Sequence, residues 1–219
     1  MSIGCLTYAA TATRSDIAAA VGVLSQFMSH PSKKHWQGIK RIFRYIKGTV
    51  NCGLKFESFS EMNSSLLGYS DADWGGDLST RKSTSGYLFK LCGGIVSWKK
   101  KKQPVIALSS TEAEYIALCS STQEAVWLRR LLESIGFAQQ KPTTVYEDNQ
   151  GAIALSKNTK NHAKTKHIDI RYHYIREAIE KNNIMLEYCP IEQQTADILT
   201  KGLAKERFQK LRSTMGIDC

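Results

Sequence analysis

Acidic side chains are the minority in this chain of 219 residues: twenty Asp and Glu stand against thirty Lys and Arg, for a net charge of +10. That imbalance points to an anionic partner, of which nucleic acid is the commonest for a folded basic domain. No stretch approaches eighteen consecutive apolar residues, so no ordinary membrane-spanning helix is expected, and no basic-then-apolar segment precedes Arg14. The six cysteines, Cys5, Cys52, Cys92, Cys119, Cys189 and Cys219, lie far apart without a C-x-x-C pair, which argues against a zinc ribbon or a disulfide-stapled secreted domain. Reduced thiols in an intracellular protein, cytoplasmic or nuclear and not secreted, are the expectation. Repeats and low-complexity tracts are missing too, apart from four lysines at 99–102. What is present is 42% hydrophobic content, enough for a core, and a length that favours one domain or one plus an appendage.

Two helices are predicted near the start, over 15–29 and 32–47, each opened by a serine able to cap free backbone N–H groups. In the second, Trp36, Ile39, Phe43 and Ile46 recur at helical spacing and form an expected core face, while Lys40, Arg44 and Lys47 share another that can track a phosphate backbone or face solvent. The polar stretch SFSEMNSS, 58–65, reads as a linker between an N-terminal helical piece, 1–57, and a larger domain, 66–203, followed by a helical tail, 204–219. Within the larger domain the patterns run β-β-β-α-β-α-α-β-α. The hairpin turns at Gly93-Gly94, a long helix follows over SSTEAEYIALCSSTQEAVWLRRLLESIG, and a last helix begins at Thr195. A mixed sheet flanked by helices, an α/β architecture, is the natural outcome.

In a chain this basic, GYSDADWGGD places Asp71, Asp73 and Asp77 within seven positions. Strand alternation puts Asp71 and Asp73 on one face, where two carboxylates repel unless a cation lies between them. On the long helix Glu112 and Glu114 stand about 200° apart, so they cannot serve one site. Glu114 shares its side with Leu118, Ala125, Leu128 and Leu132, which suits packing on the sheet. Both Ser109–Glu112 and Thr111–Glu114 fit a capping box, so the helix face makes Glu114 the preferred site acid without excluding the other. Asp148 closes the strand TTVYEDN, and Asp197 lies in the first turn of a helix, a position the helix dipole favours in any case. Acids at two strand ends and two helix starts on one sheet are explained most economically by a magnesium site.

The blocks LLGYSDADWGGDLSTRKSTSGYLFKL, VSWKKKKQPVIALSSTEAEYIAL, VYEDNQGAIALSKN, HAKTKHIDIRYHYIRE and QTADILTKGL, in this order, resemble the ribonuclease H domain of copia-type retrotransposon Pol polyproteins. Residues 14–49 resemble the end of the preceding reverse transcriptase region. The resemblance implies a ribonuclease H-like mixed five-stranded sheet with an N-terminal helical appendage. It also implies a catalytic, metal-holding set formed by Asp71, Glu114, Asp148 and Asp197, with Asp73 a further candidate ligand on the face of Asp71. Two Mg²⁺ ions about 4 Å apart, replaceable by Mn²⁺, then serve hydrolysis of the RNA strand of RNA–DNA hybrids. Arg81, Lys82 and Lys99, Lys100, Lys101 and Lys102 are candidates for backbone contacts, with a solvated turn between strand and helix as the alternative reading of the lysine run. The rest of a reverse transcriptase is the implied protein partner, and no membrane is. Nothing resembles a polymerase Y-x-D-D motif, so polymerase activity is not expected, and IEQQTAD lacks the histidine that cellular members carry before the last acid. An integrase-type transferase and a non-catalytic nucleic-acid-binding remnant are the competing readings.

Overall fold

The computed structural model describes residues 2–58, 60, 64–157 and 166–219; the expected linker and the HAKTKHIDIRYHYIRE block fall partly outside them. The larger unit is built on strands β2 (Leu67–Asp73), β3 (Thr84–Leu91), β4 (Gly94–Lys102), β5 (Thr143–Glu147) and β6 (Ile184–Tyr188), after a two-residue strand β1 (Gly53–Leu54). The sheet has the order β4-β3-β2-β5-β6, antiparallel on the β4–β3–β2 side and parallel from β2 to β6. It is the mixed five-stranded sheet the sequence pattern leads one to expect.

The hairpin between β3 and β4 turns on Cys92 and Gly93, with φ of 50° and 79°, and Gly94 already pairs with Leu91. Two consecutive positive-φ residues match the strand twist, which corrects the Gly93-Gly94 turn by one residue. The lysine run is likewise corrected: Lys99–Lys102 lie inside β4, at the sheet edge, where lysines discourage pairing with another chain.

Helix α4 (Ser110–Ser134) packs on the face carrying Tyr87 and Phe89, using Tyr115, Leu118, Ala125, Leu128 and Leu132; Ile175 and Ala178 of α6 (Lys166–Glu180) join the same core. The helix ends at Gly136, φ 85°, with Phe137 N donating to Leu132 O, a left-handed stop that glycine takes without strain. Between β5 and α6 lies α5 (Gln150–Lys157), capped by Asn149 Oδ1, which accepts from Ala152 N. On the opposite face of the sheet, α7 (Asp197–Thr200) and α8 (Lys205–Thr214) bring Ile198, Leu199 and Leu211 against Leu88 and Ile95. The helix expected from Thr195 is the short α7, and α8 lies within the stretch expected as a helical tail, after an irregular segment around Gly202.

The N-terminal piece contains a helix the sequence reading passed over, α1 (Ser2–Ala12), then α2 (Ala18–Ser25) and α3 (Lys33–Gly48). Ser32 caps α3 as expected, accepting from His35 N, whereas Ser15 makes no cap. Residues Ser15–Ile17 form a 3-10 turn in which Asp16 is held by the Arg14 guanidinium and Tyr45 Oη. The core face of α3 is also corrected. Ile42 is buried between Ile39 and Ile46, leaving Trp36 and Phe43 largely exposed, because the α1–α2 pair meets α3 on the Ile42 side.

This helical layer sits on the sheet through Trp98, whose Nε1 donates to Ala10 O at 2.8 Å, and Lys100, whose Nζ donates to Ala19 O at 2.8 Å. β1 pairs with a final short strand, β7 (Ile217–Asp218), in a register that sets Cys52 opposite Cys219, and the two form a disulfide. The expectation of reduced thiols is corrected for that pair, which sequence separation hides; Cys5, Cys92, Cys119 and Cys189 are free.

Candidate active site

β2 pairs with β3 along its whole length, to Asp73, but with β5 only over Leu67–Tyr69. Beyond Tyr69 the pairing of the two parallel strands ends, at their carboxyl ends, where the sheet changes from antiparallel to parallel connection. Such switch points are where open α/β sheets place ligands. Asp71 stands in β2 just past that point, and Glu147 and Asp148 close β5. Glu114 enters from the second turn of α4, and Asp197 from the first residue of α7.

These side chains converge. Carboxylate oxygens of Asp71, Asp148 and Asp197 lie within 4.8 Å of one another, and so do those of Glu114, Glu147 and Asp148. Asp71, Glu147 and Asp197 are fully buried, and Glu114 nearly so. Asp73 shares the face of Asp71 and belongs to neither group. Asp77 is turned outward, accepting from Ser79 and Thr80 N–H groups and pairing with Lys102. Glu112 completes a cap: its backbone N–H donates to Ser109 Oγ, and its Oε2 accepts from Leu108 N at 2.7 Å.

Crowding and burial have the electrostatic consequence expected of like charges out of water. Burial, then Glu147, Asp71 and Asp148, push Glu114 well above the usual carboxylate range. Burial also raises Glu147, against the opposing hydrogen bond from Asn149 N, and raises Asp148 and Asp73, each with help from Asp71. Asp197 is pushed up to about 6, first by burial and next by Asp71. Burial disfavours the Lys201 ammonium, but Asp71 and Asp197 outweigh it and raise its pKa.

Glu147, Thr200, Lys201 and Arg207 are the site residues that sequence reasoning missed. Glu147 had a signal, since strand alternation sets it with Val145 and Thr143 on the inward face of β5. Lys201 had one too, four residues after Asp197. Its Nζ lies 2.9 Å from Asp71 Oδ1 and 2.7 Å from Asp197 Oδ1. Thr200 Oγ1 donates to Asp71, and Arg207 pairs with Asp197.

The proposed backbone contacts divide. Arg81 is exposed on a loop with φ 55°, and Lys82 is half-buried. Lys99 and Lys101 are exposed along the edge strand, beside α4. Lys100 and Lys102 turn to the other face, where Lys100 is tied to Ala19 O and Lys102 to Gln26 Oε1 and Asp77. Lys40, Arg44 and Lys47 are exposed on α3.

The donor set fits a hard divalent cation. All ligand atoms are carboxylate oxygens, and Glu114 Oε2 and Glu147 Oε2 are buried with no hydrogen-bond partner, a condition that a cation relieves.

Strand order and acid placement define a ribonuclease H-like fold with a carboxylate-centred site. Over nearly its whole length the chain is similar to one region of Pol polyproteins from copia-type retrotransposons. It is 44% identical over 216 residues to the retrovirus-related Pol polyprotein from transposon TNT 1-94 of Nicotiana tabacum, a match covering 99% of this chain and 16% of the relative. The chain thus spans about a sixth of the length of that relative. It is also 58% identical over 127 residues to a protein of Plasmopara viticola named secreted RxLR effector protein 161, covering 58% of this chain and 88% of that one. Among solved structures, the N-terminal RNase H domain of a Mycobacterium tuberculosis protein, fused to maltose binding protein, aligns with a TM-score of 0.47 and 14% identity, covering 69% of this chain and 98% of that one. No family model matches the chain.

Proposed function

We propose that this chain is a metal-dependent endonuclease that hydrolyses the RNA strand of RNA–DNA hybrids, working within a Pol polyprotein. The observation that carries the reading is the convergence of five carboxylates at the ends of β2 and β5, two of them with buried oxygens lacking any partner. Asp71, Glu114, Asp148 and Asp197, joined by Glu147, would hold two Mg²⁺ ions, or Mn²⁺ in their place. Bound there, the ions supply an activated water and charge stabilisation at the phosphate.

The protein's own contribution is placement. Thr200 and Lys201 fix the Asp71 carboxylate, Arg207 and Lys201 fix that of Asp197, and the Asn149 N–H orients Glu147. Lys99, Lys101, Arg81 and Lys82, with Lys40, Arg44 and Lys47 on α3, are the groups proposed to grip the phosphate backbone. Selection of RNA would come from the 2′-hydroxyl beside the scissile phosphate. In this reading residues 66–203 are the nuclease, 1–57 the end of a reverse transcriptase region and 204–219 a closing tail. The partner is the remainder of that enzyme, and no polymerase activity is expected. Among the described residues no helix is long and apolar enough to cross a membrane.

One observation favours a second reading, a nucleic-acid-binding remnant without catalysis: Lys201 and Arg207 already neutralise Asp71 and Asp197. Incubation of uniformly labelled RNA–DNA hybrid with the purified chain, with and without Mg²⁺, separates the two. Metal-dependent loss of the RNA strand supports the nuclease. Hybrid bound but intact in Mg²⁺ and Mn²⁺, with or without a supplied polymerase partner, supports the remnant.

A further inference from the structure

The two carboxylate groups share Asp148 but are not equivalent. Around Asp71 and Asp197 the negative charge is already balanced, by the Lys201 ammonium that bridges them at 2.9 and 2.7 Å and by the Arg207 guanidinium on Asp197. Around Glu114 and Glu147 it is not. Among the described residues no basic side chain is ion-paired with Glu114, Glu147 or Asp148, and one oxygen each of Glu114 and Glu147 is buried without a partner. A divalent ion entering the second group meets carboxylate oxygens that no basic side chain holds. An ion entering the first meets an ammonium already seated between its ligands.

We infer that Lys201 is a tethered cation occupying one half of the metal site. The first divalent ion binds at Glu114, Glu147 and Asp148, and a second enters between Asp71 and Asp197 only by displacing the ammonium. The local structure permits that displacement. The Lys201 side chain is 30% exposed while the two carboxylates it bridges are fully buried, and it stands at the end of α7, before the irregular stretch at Gly202. Lysine carries its charge on a flexible stem, so it can leave without unfolding the helix that holds Asp197. Lys201 is thus a positioning residue: it keeps the acids together when the ion is absent and sets the order in which ions load. The inference rests on the metal-dependent reading of the same site.

Mn²⁺ alone is the probe, titrated into the full chain without hybrid and followed by calorimetry and electron paramagnetic resonance. The wild type is expected to bind in two steps, the second weaker by about tenfold or more, because a like charge must first be expelled. Lys201→Met should strengthen the second step by about tenfold and leave the first unchanged, whereas Lys201→Arg should keep the wild-type pattern. Lys201→Gln serves as a second neutral variant should the methionine form fail to fold, with circular dichroism as the check. Glu147→Gln should weaken the first step and spare the second. Two steps with the same constants in wild type and both neutral variants overturn this inference while leaving the nuclease reading intact. A first step indifferent to Glu147→Gln also overturns it. No binding in any of the proteins overturns it together with the metal-dependent reading.

Discussion

Two glutamates two positions apart, Glu112 and Glu114, have different fates because a helix turns them to different sides. Glu112 accepts from Leu108 N in the cap, while Glu114 is buried among the other carboxylates and raised in pKa by burial and by Glu147. Glu112→Ala should therefore cost about 0.5–1 kcal/mol of stability, measured by denaturant melting, with cleavage unchanged. Asp148 stands in both carboxylate groups, so its loss touches both. Asp148→Asn keeps the shape and removes one charge. Changes outside the ligand shell already cost about 10–100-fold in metal affinity, so this change should lower Mn²⁺ binding and cleavage by about a hundredfold or more. Hybrid binding in the absence of metal, measured by fluorescence anisotropy, should survive, since a charge that repels phosphates is gone. A variant that still cleaves at the wild-type rate removes Asp148 from the proposed chemistry.

At the scale of elements, the approach of α7 to the sheet decides whether Asp197 and Lys201 reach Asp71. Gly86 in β3 lies directly opposite Asp71 in the ladder, and a Cβ there would stand 2.6 Å from Thr200 Cγ2 and 3.1 Å from Leu199 Cβ. Gly86→Ala should push α7 outward, lowering stability by about 1–3 kcal/mol and weakening Mn²⁺ binding as well. Unchanged stability and binding would show that α7 adjusts freely. The elements themselves were legible where periodicity was strong: the β2–β3–β4 meander, the long α4 and the order of strands follow from alternation and helical spacing. What was hidden depends on contact between distant segments. The inward face of α3 is set by α1 and α2 at Ile42, and Lys201 is a solvent-facing lysine until Asp71, 130 positions earlier, is folded beside it. Glu147 was legible by alternation but was overshadowed by its neighbour Asp148. On α3, replacing Lys40, Arg44 and Lys47 together by Gln should weaken hybrid binding and flatten its salt dependence, each lost phosphate contact reducing the log–log slope by about 0.9. An unchanged slope assigns that stripe to solvent.

The whole molecule carries an excess of positive charge outside and a knot of negative charge within, and this arrangement makes its stability depend on pH in a direction opposite to that of a typical acid-labile protein. A carboxylate whose pKa is raised on folding binds its proton more tightly in the native state, so its stabilising effect is present below its unfolded value and disappears as pH rises through its folded value. For Asp197 that window runs from the ordinary 3.8 to about 6. Glu114, Glu147, Asp148 and Asp73 are shifted in the same direction, chiefly by burial, and add to the effect. Asp77, lowered by Lys102, and Asp218, lowered by Lys55, act in the opposite sense, but both are outside the knot. In chelator the melting temperature should therefore fall between about pH 4 and pH 7 as these groups ionise against one another. Divalent cations should reverse this, because they bind the ionised carboxylates and not the protonated ones. At about one hundred times the dissociation constant a bound ion adds about 2.7 kcal/mol, a rise of several degrees near pH 8 that shrinks towards zero near pH 5. Differential scanning fluorimetry across that range, with Mg²⁺ or chelator, reads both slopes. A chelated protein whose melting temperature climbs steadily from pH 4 to 8, with no larger Mg²⁺ shift at the upper end, would contradict a site built from buried, mutually raised carboxylates.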